Sequence, residues 1–154
     1  MYRFKILKKW LIYRFAKIAP TSRIRINLLR KLGARIGRNA EVYEDIVVVN
    51  YTDLKHLIIE DNATISPGCM LILSSYHDQS CITNYKKPFK EKIRIKKGAY
   101  VGANVTIFPG ITIGENSIIG ACSLVNKNIP DNSLAYGIPV RIKKLYFKKQ
   151  VACP

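Results

Sequence analysis

The first forty residues contain no aspartate and no glutamate; the earliest acid is Glu41. The same stretch carries Arg3, Lys5, Lys8, Lys9, Arg14, Lys17, Arg23, Arg25, Arg30, Lys31, Arg35 and Arg38. A second basic cluster, Arg141, Lys143, Lys144, Lys148 and Lys149, stands near the other end. With 26 lysines and arginines against 10 acids, the formal net charge is +16. Such ends attract polyanions, whether phospholipid headgroups, nucleic acid or ligand phosphates, unless they are only the solvated surface of a basic protein. No arginine-rich helix-turn-helix, zinc-finger or aromatic RNA-binding signature is present, so nucleic acid is not an expected partner.

Histidine is also scarce. His56 and His77 are the only two, too few for a three-histidine zinc site, and no metal is expected. The four cysteines, Cys69, Cys81, Cys122 and Cys153, show no CxxC spacing. This argues against a metal box or disulfide framework and for free thiols in a reducing compartment. Lys8, Lys9, Arg14 and Lys17 interrupt the apolar N-terminal stretch, which excludes a transmembrane span or a good signal peptide there. The expected location is the cytoplasm, either free or held peripherally at the inner membrane face.

At 154 residues the chain fits one domain with a sizeable core, and it reads in three parts. Residues 1–34 form a basic amphipathic helical segment. Phe4, Leu7, Leu11, Phe15 and Ile18 recur at helical spacing and make one apolar face. Pro20 ends the pattern, Thr21 or Ser22 caps a second helix running through Leu32, and Gly33 stops it. This segment is either a lid on the open end of a solenoid or, with Trp10 and Tyr13 among its cations, a helix lying on a membrane; one helix can do both.

Residues 35–140, the second part, repeat with a period of six. Aliphatic residues fall at Ile59, Ile65 and Leu71, and after an interruption at Ile95, Val101, Ile107, Ile113, Ile119 and Val125. The break spans 24 residues, so the phase is kept across it. Three positions after each aliphatic residue stand Asn62, Gly68, Gly98, Asn104, Gly110, Asn116, Cys122 and Asn128, nearly all types that tolerate positive φ. The next position is mostly small or β-branched: Ala63, Cys69, Ala99, Val105, Ile111, Ser117, Ser123 and Ile129. Three short strands and three corners make a triangular turn, and turns stack at the ~4.8 Å spacing of paired strands. From Ile36 to Ile59 is 23 residues, one short of four units, which predicts a corner irregularity. The remaining residues, 141–154, read as a basic tail.

Ile113-Gly114-Glu115-Asn116-Ser117-Ile118 and Ile119-Gly120-Ala121-Cys122-Ser123-Leu124, with the run from Asn126 to Arg141, resemble the bacterial hexapeptide-repeat acyltransferases. The resemblance covers residues 35–145 and implies an all-β, single-stranded left-handed parallel β-helix with an inserted catalytic loop at 74–88. It looks closest to sugar and polysaccharide O-acetyltransferases of the capsule or colanic-acid type, related to the maltose and galactoside acetyltransferases. It implies acetyl-CoA as co-substrate and a homotrimer with sites between neighbouring prisms.

His77, at the mouth of the insertion, resembles the family's catalytic histidine, a general base near neutral pH. Asp78 beside it is an acceptor-site candidate that could also orient the imidazole, though a backbone carbonyl could do that instead. Cys81 would be needed only by a rival covalent route. Positions 18 apart stack along one edge, so Ala103, Ala121 and Pro139 would form a column of small residues for a pantetheine arm. By resemblance Ala103, Ala121, Asn126, Lys127, Arg141 and Lys144 hold coenzyme A, with the three bases near its phosphates. Asn50, Tyr51 and Asp53 would contact a sugar or lipid-linked glycan. The chain departs from the maltose and galactoside enzymes in lacking a downstream acid in the loop and in carrying Tyr100 where many relatives have tryptophan. The reading is O-acetyl transfer in envelope polysaccharide synthesis. Its rivals are a streptogramin-type antibiotic acetyltransferase and a non-catalytic trimer that binds membranes or polyanions.

Overall fold

The structure, a computed structural model, describes residues 2–52, 54–75 and 89–144. Helix α1 (Tyr2–Ile18) stops just before Pro20, whose ring lacks an N–H and clashes with the preceding turn. Helix α2 (Ser22–Lys31) opens at Thr21, whose hydroxyl accepts from the Ile24 N–H at 3.4 Å. Gly33, at φ +104°, turns the chain away from it. No described helix is long and apolar enough to cross a membrane.

The rest is a three-faced coil. The first rung is β1 (Arg35–Ile36), β2 (Glu41–Val42) and β3 (Val47–Val49); the second is β4 (Leu57–Ile59), β5 (Thr64–Ile65) and β6 (Met70–Ile72). A hairpin base, β7 (Ser74–Ser75) and β8 (Phe89–Lys90), follows. The third rung is β9 (Ile93–Ile95), β10 (Tyr100–Val101) and β11 (Thr106–Ile107); the fourth is β12 (Thr112–Ile113), β13 (Ile118–Ile119) and β14 (Leu124–Val125). Then come β15 (Ser133–Tyr136) and β16 (Arg141–Lys144). Matching strands of successive rungs pair in parallel: β1-β4-β9-β12 on the first face, β2-β5-β10-β13-β15 on the second, β3-β6-β11-β14 on the third. Strand β16 adds to β15 antiparallel, taking the first four residues of the basic C-terminal stretch into a sheet.

The period-six residues line the axis. Ile59, Ile65, Leu71, Ile95, Val101, Ile107, Ile113, Ile119 and Val125 are each at most 2% exposed. Burying each contributes on the order of 1.5–3 kcal/mol. Asn62, Gly68, Gly98, Asn104, Gly110, Asn116 and Cys122 turn corners with φ between 52° and 80°. Asparagine and glycine enter that region at little steric cost, and of these seven only Cys122 is neither.

Three departures from the period mark the molecule. Register runs Ile36↔Ile59, Val42↔Ile65 and Val48↔Leu71, so the first rung is regular and the anomaly lies wholly between Val48 and Ile59. It is an insertion of about five residues rather than a residue missing, with Asn50 at φ 68° and a 3-10 turn at Leu54–His56. The second departure is the loop between β7 and β8.

The third corrects the sequence reading. Ile113 bridges Ile129, and Ile119 pairs with Ala135, so the last corner is two residues short of the 18-residue turn. Asn128 therefore turns no corner; Asn132 does, at φ 53°. The Asn128 side-chain oxygen instead accepts from the Thr112 N–H at 2.8 Å. It stands in for the backbone carbonyl that a full-length corner supplies, as Ile111 does for Arg94 one rung below. Ile129 is a core residue, not a corner neighbour.

Tyr13 and Ala16 of α1, with Ile26, Leu29 and Leu32, cover the open end beneath the first rung. Arg25, only 4% exposed, donates to the carbonyls of Ala16, Ala19 and Val42. Burial pulls its pKa down from the ordinary arginine value, and the three carbonyls compensate the lost water. The stripe Phe4–Leu7–Leu11–Phe15–Ile18 is not what covers the core; it faces outward.

Candidate active site

All three departures fall on one edge of the prism, where the third face returns to the first. At its lower end lie Asn50 and Tyr51, both half-buried. The Thr52 hydroxyl donates to the Asn50 side-chain oxygen at 3.0 Å. The Tyr51 ring stacks on Tyr13 with centroids 4.4 Å apart. Lys9 Nζ donates to the Thr52 carbonyl at 2.6 Å, so α1 is tied to this corner twice.

One rung further, β7 and β8 carry the inserted loop away from the same edge, and the Glu91 N–H closes onto the Leu73 carbonyl at 3.0 Å. Ser74, 2% exposed, has no hydrogen-bond partner for its hydroxyl among the described residues. Two rungs above the loop base, Asn126 and Lys127 follow β14 and are exposed. His77, Asp78 and Asp53 lie outside the described residues. His56 sits half-buried in the 3-10 turn.

The neighbouring edge, between the second and third faces, carries the small residues. Ala103 is half-buried and Ala121 exposed, and the Cys122 N–H donates to the Ala103 carbonyl at 2.9 Å. A Cβ on Gly102 would lie 2.7 Å from the Ala121 nitrogen, so glycine is required for the rungs to close here. The shortened last corner corrects the expected column: the Ile119–Ala135 register carried on by two residues brings Gly137, not Pro139, level with Ala121, and Gly137 bonds onward, its carbonyl accepting from the Leu124 N–H and its N–H donating to the Ser123 hydroxyl, both at 3.0 Å.

The column Ala103–Ala121–Gly137 ends at the turn into β16. There Arg141 pairs with Tyr136, and Lys143 shares its face by strand alternation. The Lys143 ammonium stands 5.5 Å from the Tyr136 ring centroid, and hydrogen bonding to Tyr136 raises its pKa. The Lys144 backbone pairs with Ser133. Gly137, Tyr136 and Lys143 were missed by counting in sixes, because the count runs through the shortened corner unchanged. The alternation of Arg141, Ile142 and Lys143 was the available signal for a strand.

A single chain thus splits the candidate residues. Ala103, Ala121 and Arg141 follow the second-to-third edge, whereas Asn50, Tyr51, the loop base, Asn126 and Lys127 follow the third-to-first edge. From Ala121 to Asn126 the chain crosses the third face, about 16 Å of extended backbone. The outward rows of the flanking faces mix polar and apolar side chains: Glu41, Thr64, Tyr100, Ile118 and Leu134 run up the second face, apolar in its upper rungs, and Val47, Met70, Thr106 and Leu124 run up the third. The first face shows Arg35, Ile58, Arg94 and Thr112. An open groove of about 590 Å³ beside Arg30, Gly37, Glu60 and Lys97 lies away from both candidate edges.

The profile of the family described as bacterial transferase hexapeptide (six repeats) matches residues 92–127, from just before the third rung to just past the fourth. The chain is 30% identical to galactoside O-acetyltransferase of Escherichia coli K12, over 91% of this chain and 82% of that relative. It is 32% identical to galactoside O-acetyltransferase of Lactococcus lactis over 65% of this chain, and spans about half (47%) of that relative's length. In fold it resembles the hexapeptide-repeat acetyltransferase of Vibrio cholerae solved with acetyl coenzyme A, with a TM-score of 0.73 at 20% identity, covering 94% of this chain and 89% of that one. With its coil of period-six rungs and a relative matched over 82% of that relative's length, the chain belongs to the bacterial hexapeptide-repeat transferase family.

Proposed function

We propose that this chain is an acetyl-CoA-dependent O-acetyltransferase acting on a sugar hydroxyl during envelope polysaccharide synthesis, and that it works as a homotrimer of left-handed β-helices. The observation that carries the reading is the split of candidate residues between two edges of one face. A ring of three brings the second-to-third edge of one protomer against the third-to-first edge of its neighbour, through different patches on each copy. The apolar side chains of the second and third faces supply surface for such a contact. The galactoside O-acetyltransferase relatives support sugar O-acetylation, and the acetyl-CoA complex of the Vibrio cholerae protein supports the donor.

In this reading Ala103, Ala121 and Gly137 leave room for the pantetheine arm, while Asn126, Lys127, Arg141 and Lys144 meet the polar and phosphate end. Asn50, Tyr51, Asp53 and Asp78 contact the acceptor. His77 takes the proton of the acceptor hydroxyl as its oxygen attacks the thioester carbonyl carbon. A backbone N–H of the column steadies the oxyanion. The carbon–sulfur bond then breaks, and the coenzyme A thiolate takes the proton from His77. No acyl-enzyme forms.

The test is release of free coenzyme A thiol with a galactoside acceptor. His77→Ala is expected to lower turnover at least 100-fold, whereas Cys81→Ala leaves it within about threefold. Residual activity of His77→Ala within a few-fold of wild type overturns the mechanism. A sedimentation mass of one chain overturns the shared site. Acetylation of a streptogramin but of no saccharide favours the antibiotic enzyme, and an unchanged melting temperature with acetyl-CoA favours the non-catalytic trimer.

A further inference from the structure

We propose that α1 is a docking helix for anionic lipid bilayers, and that it holds the acceptor corner at the membrane surface. Helix α1 has two apolar faces on opposite sides. Tyr13 and Ala16 face the coil and are buried. Phe4, Leu7, Leu11, Phe15 and Ile18 fall within an arc of about 80° at 100° per residue, roughly opposite Tyr13 and Ala16. That stripe touches water: Phe4 is 77% exposed, Phe15 60% and Ile18 75%. Five large apolar side chains in one row, left uncovered, are a surface awaiting a partner.

Charge selects the partner. Lys8 borders the stripe on one side and Arg14 on the other, with Arg14 lying 5.7 Å over the Trp10 ring. No acid occurs on α1 or anywhere before Glu41. An apolar row with a tryptophan and flanking cations matches the headgroup boundary of a negatively charged leaflet. A second copy of α1 laid against the same row would bring like charges together.

The helix also connects to the site. Tyr13 stacks on Tyr51, and its hydroxyl accepts from the Val48 N–H at 2.7 Å. Lys9 grips the Thr52 carbonyl. The two anchors hold the Asn50–Thr52 corner against the docked helix, so a saccharide carried on a lipid would meet that corner as it leaves the bilayer. This last step rests on the O-acetyltransferase reading; the docking does not.

Flotation of the full-length protein with vesicles decides the proposal. Wild type is expected to float with phosphatidylcholine vesicles containing 30 mol% phosphatidylglycerol. Floated protein should fall at least tenfold with pure phosphatidylcholine, and again in 1 M salt. The variant F4S/L7S/F15S, whose positions are each more than half exposed, should lose at least tenfold of the binding to anionic vesicles with its circular dichroism and sedimentation mass unchanged. Three results overturn the proposal: no flotation of wild type, equal flotation of the variant, or a smaller assembly for the variant, which would mean that the stripe seals a contact between copies. Turnover on a soluble galactoside is measured in parallel. Its absence in wild type counts against the acetyltransferase reading alone, and its loss only in the variant counts against the docking role.

Discussion

Between the first and second faces, and between the second and third, every step from one core residue to the next is six: Ile36 to Val42 to Val48, Ile59 to Ile65 to Leu71, Ile95 to Val101 to Ile107, Ile113 to Ile119 to Val125. The return from third face to first is never so uniform. It holds the five-residue insertion, the loop and the two-residue deletion, and only the step from Ile107 to Ile113 keeps time there. Unbroken ladders pass through the two regular edges, as in Thr64 N–H to Ala99, Tyr100 N–H to Ser117 and Thr106 N–H to Ser123. They set the stacking of all three faces, so the remaining edge is free to change length and carry function.

That contrast can be broken directly. Inserting Gly-Ser after Asn116 should displace the pairing of Ile118 and Ile119 with both neighbouring rungs and cost roughly 3 kcal/mol or more, read by urea denaturation. The same insertion after Lys127 restores an 18-residue turn at the shortened corner and should cost under about 1 kcal/mol, since loop length is cheap. Equal losses at the two sites would refute the division of labour.

Within the regular coil, Ile113→Ala empties a fully buried position and should cost about 2–5 kcal/mol in the same assay, against well under that for the half-buried, outward Ile58→Ala. On the variable edge, Tyr13→Phe strips the Val48 N–H of its acceptor and should cost about 1–3 kcal/mol. A smaller loss would mean that the Tyr13–Tyr51 stack and the Lys9–Thr52 bond suffice to hold α1 to the corner. Burial also pushes the Tyr13 phenol above its ordinary pKa, so this contribution should persist through neutral pH.

Corner conformation gives a smaller effect. Asn116→Ala places an ordinary side chain at φ 52° and should cost about 1 kcal/mol, whereas Asn116→Gly should be close to neutral in thermal melts. The smallest effect is at Asp131, which accepts from the Glu115 N–H at 2.8 Å and from Lys96 Nζ at 3.0 Å. The Glu115 amide first, and then Lys96, hold its carboxyl below the usual value. Its stabilisation is therefore complete above about pH 4 and fades as the pH falls through the lowered folded value. Because the side chain is 47% exposed, Asp131→Asn should change stability at neutral pH by less than about 1 kcal/mol and flatten the acid limb of the curve.

How much could be read in advance follows the same line. The residues of the two regular edges repeat with one period, so their core and corner roles were legible from spacing alone. Asn128 and Pro139 were misplaced because a periodic count has no means of seeing a deletion that a side-chain amide repairs. The stripe on α1 was legible as apolar, but not the side on which it lies. Helical spacing reports an amphipathic face equally well whether water or core stands opposite, and here Tyr13 and Ala16, with far less apolar surface, took the core.

The rung is written in the chain locally: six residues to a side, aliphatic inward, glycine or asparagine at the bend, because each requirement is short-range and recurs. Tertiary structure alone decided which edge absorbs the irregularities, that Gly137 completes the small-residue column, and that α1 leaves its larger apolar face in water while binding the Asn50–Thr52 corner. Those outcomes depend on contacts between residues 16 to 43 positions apart, and no short-range pattern encodes a pairing over that separation.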